Sequence, residues 1–324
     1  MVFMNTPSAE ILSPFVFSAY RITIKANDPL HFPSYKGSAI RGALGHALRR
    51  AACAVRNQEC PTCFLFRKCI YAHMFETPPP ENDPFLRNKN SVPHPYIFRP
   101  SQDTREEYAP GDTLSFDMIL MGKATEYLPY LAYALILMGE QGLGRGRGQC
   151  FLRYMDAMGA DGSMTRVYHS GDQILRGEGH PISCGELLEK SPPPERCTFR
   201  FLTRLDLKIK RKYPEVTFGV VFRSLLRRIS TLAHLHGGTD CTRLDFSGLS
   251  HAADAVRVVS SDLSWEDAKR FSNRQKRKMP FGGLLGDITV EGELSPFWPF
   301  MLLGEWVHVG KKTSFGLGRY ELEW

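Results

Sequence analysis

Apolar and polar residues alternate along residues 15–25 (FVFSAYRITIK) and again along residues 198–210 (TFRFLTRLDLKIK). A period of two is that of a strand with one buried face. Behind each strand the period lengthens to that of a helix. Ile40, Leu44, Ala47 and Leu48 make the first stripe, and Phe218, Val221, Phe222, Leu225 and Ile229 make the second. The two helices share a frame, Gly37-x3-Arg41-x2-Leu44 in one and Gly219-x3-Arg223-x2-Leu226 in the other. Two more strands are predicted in each half, at 95–99 and 113–121 and then at 255–260 and 283–291.

The halves also end alike. Residues 126–156 and 296–324 each read as an apolar helix, a glycine-rich turn and a strand, with Gly142-Leu143-Gly144-Arg145 in one turn and Gly316-Leu317-Gly318-Arg319 in the other. The order is β-α-β-β-α-β twice. That predicts an α+β fold of two tandem ferredoxin-like domains, each an antiparallel sheet with both helices on one face. The expected boundaries are 1–160, with a cysteine-bearing insertion at 53–76, then a linker or extension at 161–196 rich in Gly, Ser and Pro, then 197–324.

Composition narrows the class. The 324 residues are 43% hydrophobic and 23% charged, which is globular usage and excludes a disordered or collagen-like chain. The apolar run LPYLAYALILMG at 128–139 is far shorter than the roughly 20 residues that cross a bilayer. No membrane association is expected, and without a secretory pattern at the N-terminus the cytoplasm is the expected compartment. Lys and Arg number 41 against 34 Asp and Glu, a net charge of +7. The placement of that excess matters more than its size.

Four of the eight cysteines fall in Cys53-x6-Cys60-x2-Cys63-x5-Cys69. Thiols so closely spaced in a reducing compartment point to a structural tetrahedral zinc site, with an iron–sulfur cluster as the alternative. A closed site of four thiolates has no open position, so no cofactor is expected for catalysis. Nor does any motif call for a nucleotide.

Cationic tracts accompany the glycine turns. Gly310, Lys311, Lys312, Thr313, Ser314, Gly316, Gly318 and Arg319 combine a flexible backbone with charge and hydroxyl donors, the makings of a phosphate cradle. Arg145 and Arg147 interleave with glycines in the first turn, and guanidinium forks suit phosphate. Residues 204–212 and 269–278 are basic. The second tract carries Arg274, Gln275, Arg277 and Lys278 beside Phe271 and Asn273, a mixture of charge, hydrogen bonding and stacking that fits RNA. On the first helix His46 projects about 130° from the apolar stripe, on the side of Arg49 and Arg50.

The string from His308 to Tyr320 resembles the glycine-rich loop of the RAMP superfamily. With the KGSAIRGALGHALRR helix, the four-cysteine insertion, LPYLAYAL, RFSNRQ at 270–275 and GGLLGDITVEGELSPF at 282–297, the chain is similar over nearly its whole length to the CRISPR precursor-RNA processing endoribonucleases of that superfamily. The resemblance implies a protein that binds CRISPR repeat RNA and cuts it without a divalent metal, leaving 2′,3′-cyclic phosphate and 5′-OH ends. It also implies a catalytic histidine on or near the first helix, where His46 stands. Tyr35 and Lys36, just before that helix, are placed to orient substrate or stabilise charge. His308 is the rival histidine and His31 a third. Some members of the superfamily are non-catalytic RNA-binding subunits of CRISPR ribonucleoprotein effector complexes. The alternative is therefore a chain that holds guide RNA among other effector subunits.

Overall fold

The computed structural model describes residues 6–56, 58–86, 91–177, 179–207, 216–272 and 277–324, with the side chains of residues 271 and 272 left aside. It divides into two compact units, Val16–Ile182 and the remainder, in which residues up to Phe15 join Ser183–Trp324. A short helix, α1 (Pro7–Leu12), opens the chain behind an N-cap at Thr6, whose hydroxyl accepts from the Ala9 N–H.

The unit Val16–Ile182 runs β1 (Val16–Ala26), β2 (Leu30–His31), α2 (Gly37–Ala52), β3 (Tyr96–Arg99), β4 (Glu107–Tyr108), β5 (Thr113–Met121), α3 (Leu128–Gln141), β6 (Cys150–Met158) and β7 (Met164–His169). Its sheet has the order β3-β5-β1-β6-β7 with antiparallel neighbours. The alternation in β1 sorts its side chains as expected. Ile22 and Ile24 share one core with Ile40, Leu44 and Leu48 of α2 and with Leu131 and Leu135 of α3. Arg21 and Thr23 alternate with those isoleucines and meet polar partners on β5. The Arg21 Nε–H donates to Asp117 Oδ1 at 2.8 Å, and Thr23 and Ser115 share a hydroxyl hydrogen bond of 2.9 Å.

The second unit contains α4 (Cys184–Lys190), β9 (Arg196–Leu205), α5 (Phe218–Gly237), α6 (Phe246–Ala252), β10 (Arg257–Ser261), β11 (Ser264–Glu266), β12 (Lys269–Ser272), β13 (Arg277–Pro280), β14 (Gly283–Glu291), α7 (Trp298–Val307) and β15 (Tyr320–Glu323), after a two-residue strand, β8 (Ile182–Ser183), at the boundary. The order β10-β14-β9-β15 repeats the strand order of the first sheet. Aromatic rings fill its core. Phe222 meets Phe297 at 4.6 Å and Phe199 meets Tyr320 at 5.0 Å between centroids, and the Tyr320 hydroxyl donates to the Met301 carbonyl at 2.7 Å. Two tandem βαββαβ units are thus the architecture that the alternation and the repeat predict.

The structure differs from the expected boundaries. Within 161–196, β7 pairs with β6 as a further strand of the first sheet, and α4 packs with α1 and α7. The segment is rich in turn residues because its elements are short, and it is built into the units rather than strung between them. The first strand of the second half ends at Leu205, and residues 208–210 of its expected extent lie outside the described residues. Among the described residues no helix is long and apolar enough to cross a membrane.

Candidate nucleic-acid interface

Each unit carries its glycine-rich turn between its second helix and its last core strand, and each turn is fixed by its own neighbours. In the second unit α7 stops at Val307 because His308 takes a left-handed φ of 62°, a conformation that ends a helix and is strained for a residue with a side chain. The chain then folds back on the end of β9. The N–H of Val309 donates to the Gly318 carbonyl at 2.9 Å, that of Lys311 to Asp206 at 2.8 Å and that of Gly318 to Arg204 at 3.0 Å. The Thr203 hydroxyl bridges the strands of the turn, donating to the Gly316 carbonyl at 2.8 Å and accepting from the Arg319 N–H at 2.9 Å.

This bonding revises the expected phosphate cradle. The N–H groups of Val309, Lys311, Phe315, Gly316 and Gly318 all donate to protein carbonyls, so these donors hold the turn itself. Thr313, Gly316 and Gly318 are buried, while Gly310, Lys312, Ser314 and Arg319 are part-buried and Lys311 is exposed. The turn therefore presents side chains. Lys312 is tied to Asp206, whose carboxylate also lies 4.0 Å from Lys311 Nζ. The pattern of the loop alone does not show Asp206 and Thr203, because they stand more than a hundred residues away in sequence, at the end of β9.

A β12–β13 hairpin stands beside the turn. Arg270 places its guanidinium 4.3 Å from the Phe315 ring and 5.8 Å from Phe281, so cation–π contacts fasten the hairpin to the glycine turn. Arg277 and Lys278 are exposed on its return strand. Arg274 and Gln275 lie outside the described residues.

In the unit Val16–Ile182 the corresponding turn rests against β2. The Arg145 N–H donates to the His31 carbonyl at 2.8 Å, and a Cβ at Gly144 would strike that same carbonyl, so the backbone approach needs glycine there. Arg145 and Arg147 are both exposed. His31, also exposed, has Nδ1 3.6 Å from Glu107 Oε1, which gives this histidine an acidic neighbour beside its backbone contact with Arg145. Its position in the sequence gives no reason to prefer it. What singles it out is the contact of β2 with the turn, which no local pattern shows.

His46 is exposed on α2, as the helical projection requires, and Arg50 is exposed with it. Arg49 differs. Its guanidinium stacks 5.7 Å from the Tyr71 ring and Nη2 donates to the Gln58 carbonyl at 3.4 Å, so it binds the cysteine-bearing insertion to the helix. Tyr35 is part-buried. Lys36 is buried, with Nζ donating to the backbone carbonyls of Asp103 and Ser34, and burial pushes its ammonium below its ordinary value. It holds the 101–108 loop to the start of α2 and has no route to a substrate phosphate. His308 is also buried, its Nδ1–H donating to the Leu317 carbonyl at 3.2 Å. It locks the glycine turn, and a catalytic role at the surface does not fit that place.

The four cysteines of the insertion are part-buried free thiols. Cys53 Sγ turns to the Val55 carbonyl at 3.3 Å, and burial raises the Cys60 thiol above its ordinary value against the pull of Arg49. Among the described residues no group of three or more His, Cys, Asp or Glu side chains is arranged to hold a metal ion. The expected closed site of Cys53, Cys60, Cys63 and Cys69 is therefore not formed in this arrangement. The insertion is held instead by aromatic and arginine stacking, with Tyr71 and Phe75 parallel at 5.6 Å and Arg41 5.2 Å from Phe75.

Two ferredoxin-like units with cationic turns at the same place define a RAMP-type architecture. Residues 14–180 match the family model described as the AF_1859_N N-terminal domain, and residues 199–320 match that of the CRISPR-associated endoribonuclease Cas6. The first match alone spans more than half of the chain. The chain belongs to the family of the AF_1859_N N-terminal domain, carries a Cas6 endoribonuclease domain over residues 199–320, and is a CRISPR RNA-processing protein of the RAMP type. No curated protein matches it. Among solved structures, a Cas6 product complex is similar with a TM-score of 0.57 at 16% identity, over 95% of this chain and 99% of that chain. Thermus thermophilus Cas6 gives a TM-score of 0.54 at 16% identity, over 95% and 99%. A partial Cas6-RT-Cas1–Cas2 complex gives 0.57 at 16% identity, over 97% of this chain but 47% of that longer one. These likenesses speak for the fold.

Proposed function

We propose that the chain binds CRISPR repeat RNA and cuts it by attack of a ribose 2′-OH on the adjacent phosphodiester, leaving a 2′,3′-cyclic phosphate and a 5′-OH, with no divalent metal taking part. The observation that carries the assignment of residues is the contrast between the histidines: His46 is exposed on the cationic side of α2, whereas His308 is sealed in the core. Such a reaction needs a base for the 2′-OH, an acid for the leaving oxygen and a cation for the phosphorane. His46 serves as base, since imidazole is the side chain that exchanges protons most readily near neutral pH. Arg50, Arg145 and Arg147 supply charge in the same unit, and Lys311, Arg277 and Lys278 in the other. The processed guide RNA and effector subunits are the partners this reading implies. Incubation with end-labelled repeat RNA in excess EDTA tests it: cleavage should persist, and replacing the ribose at the cut site by deoxyribose should stop it. Cleavage that EDTA abolishes would overturn the metal-free chemistry.

The Lys312–Asp206 pair predicts a gain. Asp206→Asn removes the carboxylate that neutralises Lys312, so repeat RNA should bind more tightly at low salt, with a steeper fall as salt rises by about 0.7 in the log–log slope for one further single-strand phosphate contact. Filter binding across a salt series measures both. An unchanged slope would show that Lys312 does not meet RNA.

Zinc at the four cysteines stands on their spacing, with an iron–sulfur cluster as the alternative. Elemental analysis of purified protein decides between them and neither: one zinc per chain requires the insertion to close around it, visible charge-transfer absorbance requires a cluster, and a metal-free folded protein ends both.

A further inference from the structure

Arg228 lies on α5, and its guanidinium has a use the fold does not exhaust. Its Nε–H donates to the carbonyls of Val307 at 2.9 Å and His308 at 3.1 Å, the last carbonyl of α7 and the first of the glycine turn. Those bonds employ Nε alone. A guanidinium carries five N–H donors in a planar fork, so the Nη edge is not committed by them. Among the described residues no carboxylate pairs with this arginine, although Arg223, on the same helix, pairs with Asp254 at 2.7 Å. The helix C-terminus offers only partial negative charge. Burial presses the Arg228 guanidinium down to about 9, which still leaves it protonated at neutral pH. Arg228 is part-buried, and a cation with an open fork and no acid beside it is suited to an anion.

The internal repeat adds a second, independent observation. Arg223 and Leu226 stand beyond Gly219 as Arg41 and Leu44 stand beyond Gly37, and in that register Arg228 takes the place of His46. The equivalent helix position therefore carries the proposed base in one unit and an anchored guanidinium in the other. The α5 position is set at the root of the glycine turn.

We propose that Arg228 binds an RNA phosphodiester through its Nη edge, as a positioning residue that anchors the strand where the glycine turn leaves α7. The proposal rests on the RNA-binding function above. The α7 carbonyls hold the fork in one orientation, so little side-chain entropy is lost when a phosphate docks on it bidentately.

Two measurements test it, with a repeat RNA methylated at its 2′-oxygens so that it binds without being cut. In wild-type protein, labelling of arginines by phenylglyoxal, mapped by mass spectrometry, should modify Arg228 in the free state and spare it when RNA is bound. Equal labelling in both states, or none in either, overturns the proposal. Arg228→Gln, folded by its circular dichroism, should bind the RNA about tenfold more weakly with a salt slope lower by about 0.7. Arg228→Lys, which keeps charge but loses the fork, should recover the slope and only part of the affinity. Unchanged affinity and slope in folded Arg228→Gln would make Arg228 a helix cap and nothing more. Should the variants fail to fold, the wild-type labelling decides. Wild-type protein that does not bind the RNA would instead refute the RNA-binding function itself.

Discussion

Replacing His46 by alanine is expected to reduce the single-turnover cleavage rate of repeat RNA by about 10²–10⁴-fold, the range of a positioned general base, while RNA affinity changes little. The separation of the two effects follows from where the side chain sits. His46 is exposed on α2, outside the apolar core that Ile40, Leu44 and Leu48 form with Ile22 and Ile24, so its removal opens no cavity and leaves fold and binding intact. His31→Ala is the instructive companion. His31 has the Glu107 carboxylate 3.6 Å from Nδ1 and lies against the first glycine turn. If His31→Ala abolishes cleavage and His46→Ala leaves it unchanged, the base has been assigned to the wrong histidine of that unit. Single-turnover rates of the two variants, with affinities measured beside them, decide the matter.

Gly318→Ala is expected to be the most damaging single substitution in either glycine turn. Gly318 has a φ of 70°, and a Cβ there would be driven into the carbonyl of Val309, a residue that cannot retreat because its own N–H donates to the Gly318 carbonyl. Backbone strain of about 1–3 kcal/mol adds to overpacking of about 1–3 kcal/mol, and neither is relieved by a side-chain movement because the obstacle is backbone. A fall of about 10 °C in the melting temperature should result, taking about 2–4 °C per kcal/mol for a domain of this size. Gly146→Ala is the control. Gly146 has a φ of 86°, but a Cβ added there would meet no atom within 4 Å, so strain is the only penalty. Thermal melts followed by circular dichroism compare the two. Equal melting temperatures would mean that the turn is not held as tightly to β9 as its hydrogen bonds require.

Much of the architecture was legible in the order of residues. The alternation in β1 and β9, the stripes of α2 and α5 and the doubled helix–turn–strand ending all rest on local periodicity, which survives whatever the rest of the chain does. What was not legible depended on distant partners. The burial of Lys36 is decided by a carbonyl of Asp103 that the 101–108 loop delivers to it. His308 looks like a surface histidine next to a cationic loop until the left-handed turn at that residue carries its ring inward to Leu317. Arg49 reads as one of a cationic pair with Arg50, yet Tyr71 on the insertion captures it. Residues up to Phe15 sit with the second unit because α1 packs on α4 and α7, elements that begin only at Cys184 and Trp298. The candidate site shows the same division. Pattern shows the glycines and arginines of the turns, while Thr203, Asp206 and Arg228 come into view only once the strands and helices are paired, and His31, third among the histidines in the sequence, gains its place from the contact of β2 with the first turn.

The chemistry of the cut is the most direct test of the account. Repeat RNA should be digested with purified protein in EDTA and the fragments weighed by mass spectrometry. Upstream fragments should be lighter by one water than a terminal phosphate, and downstream fragments should carry a bare 5′-hydroxyl. Fragments carrying 3′-hydroxyl and 5′-phosphate ends, or RNA left whole, would contradict that chemistry.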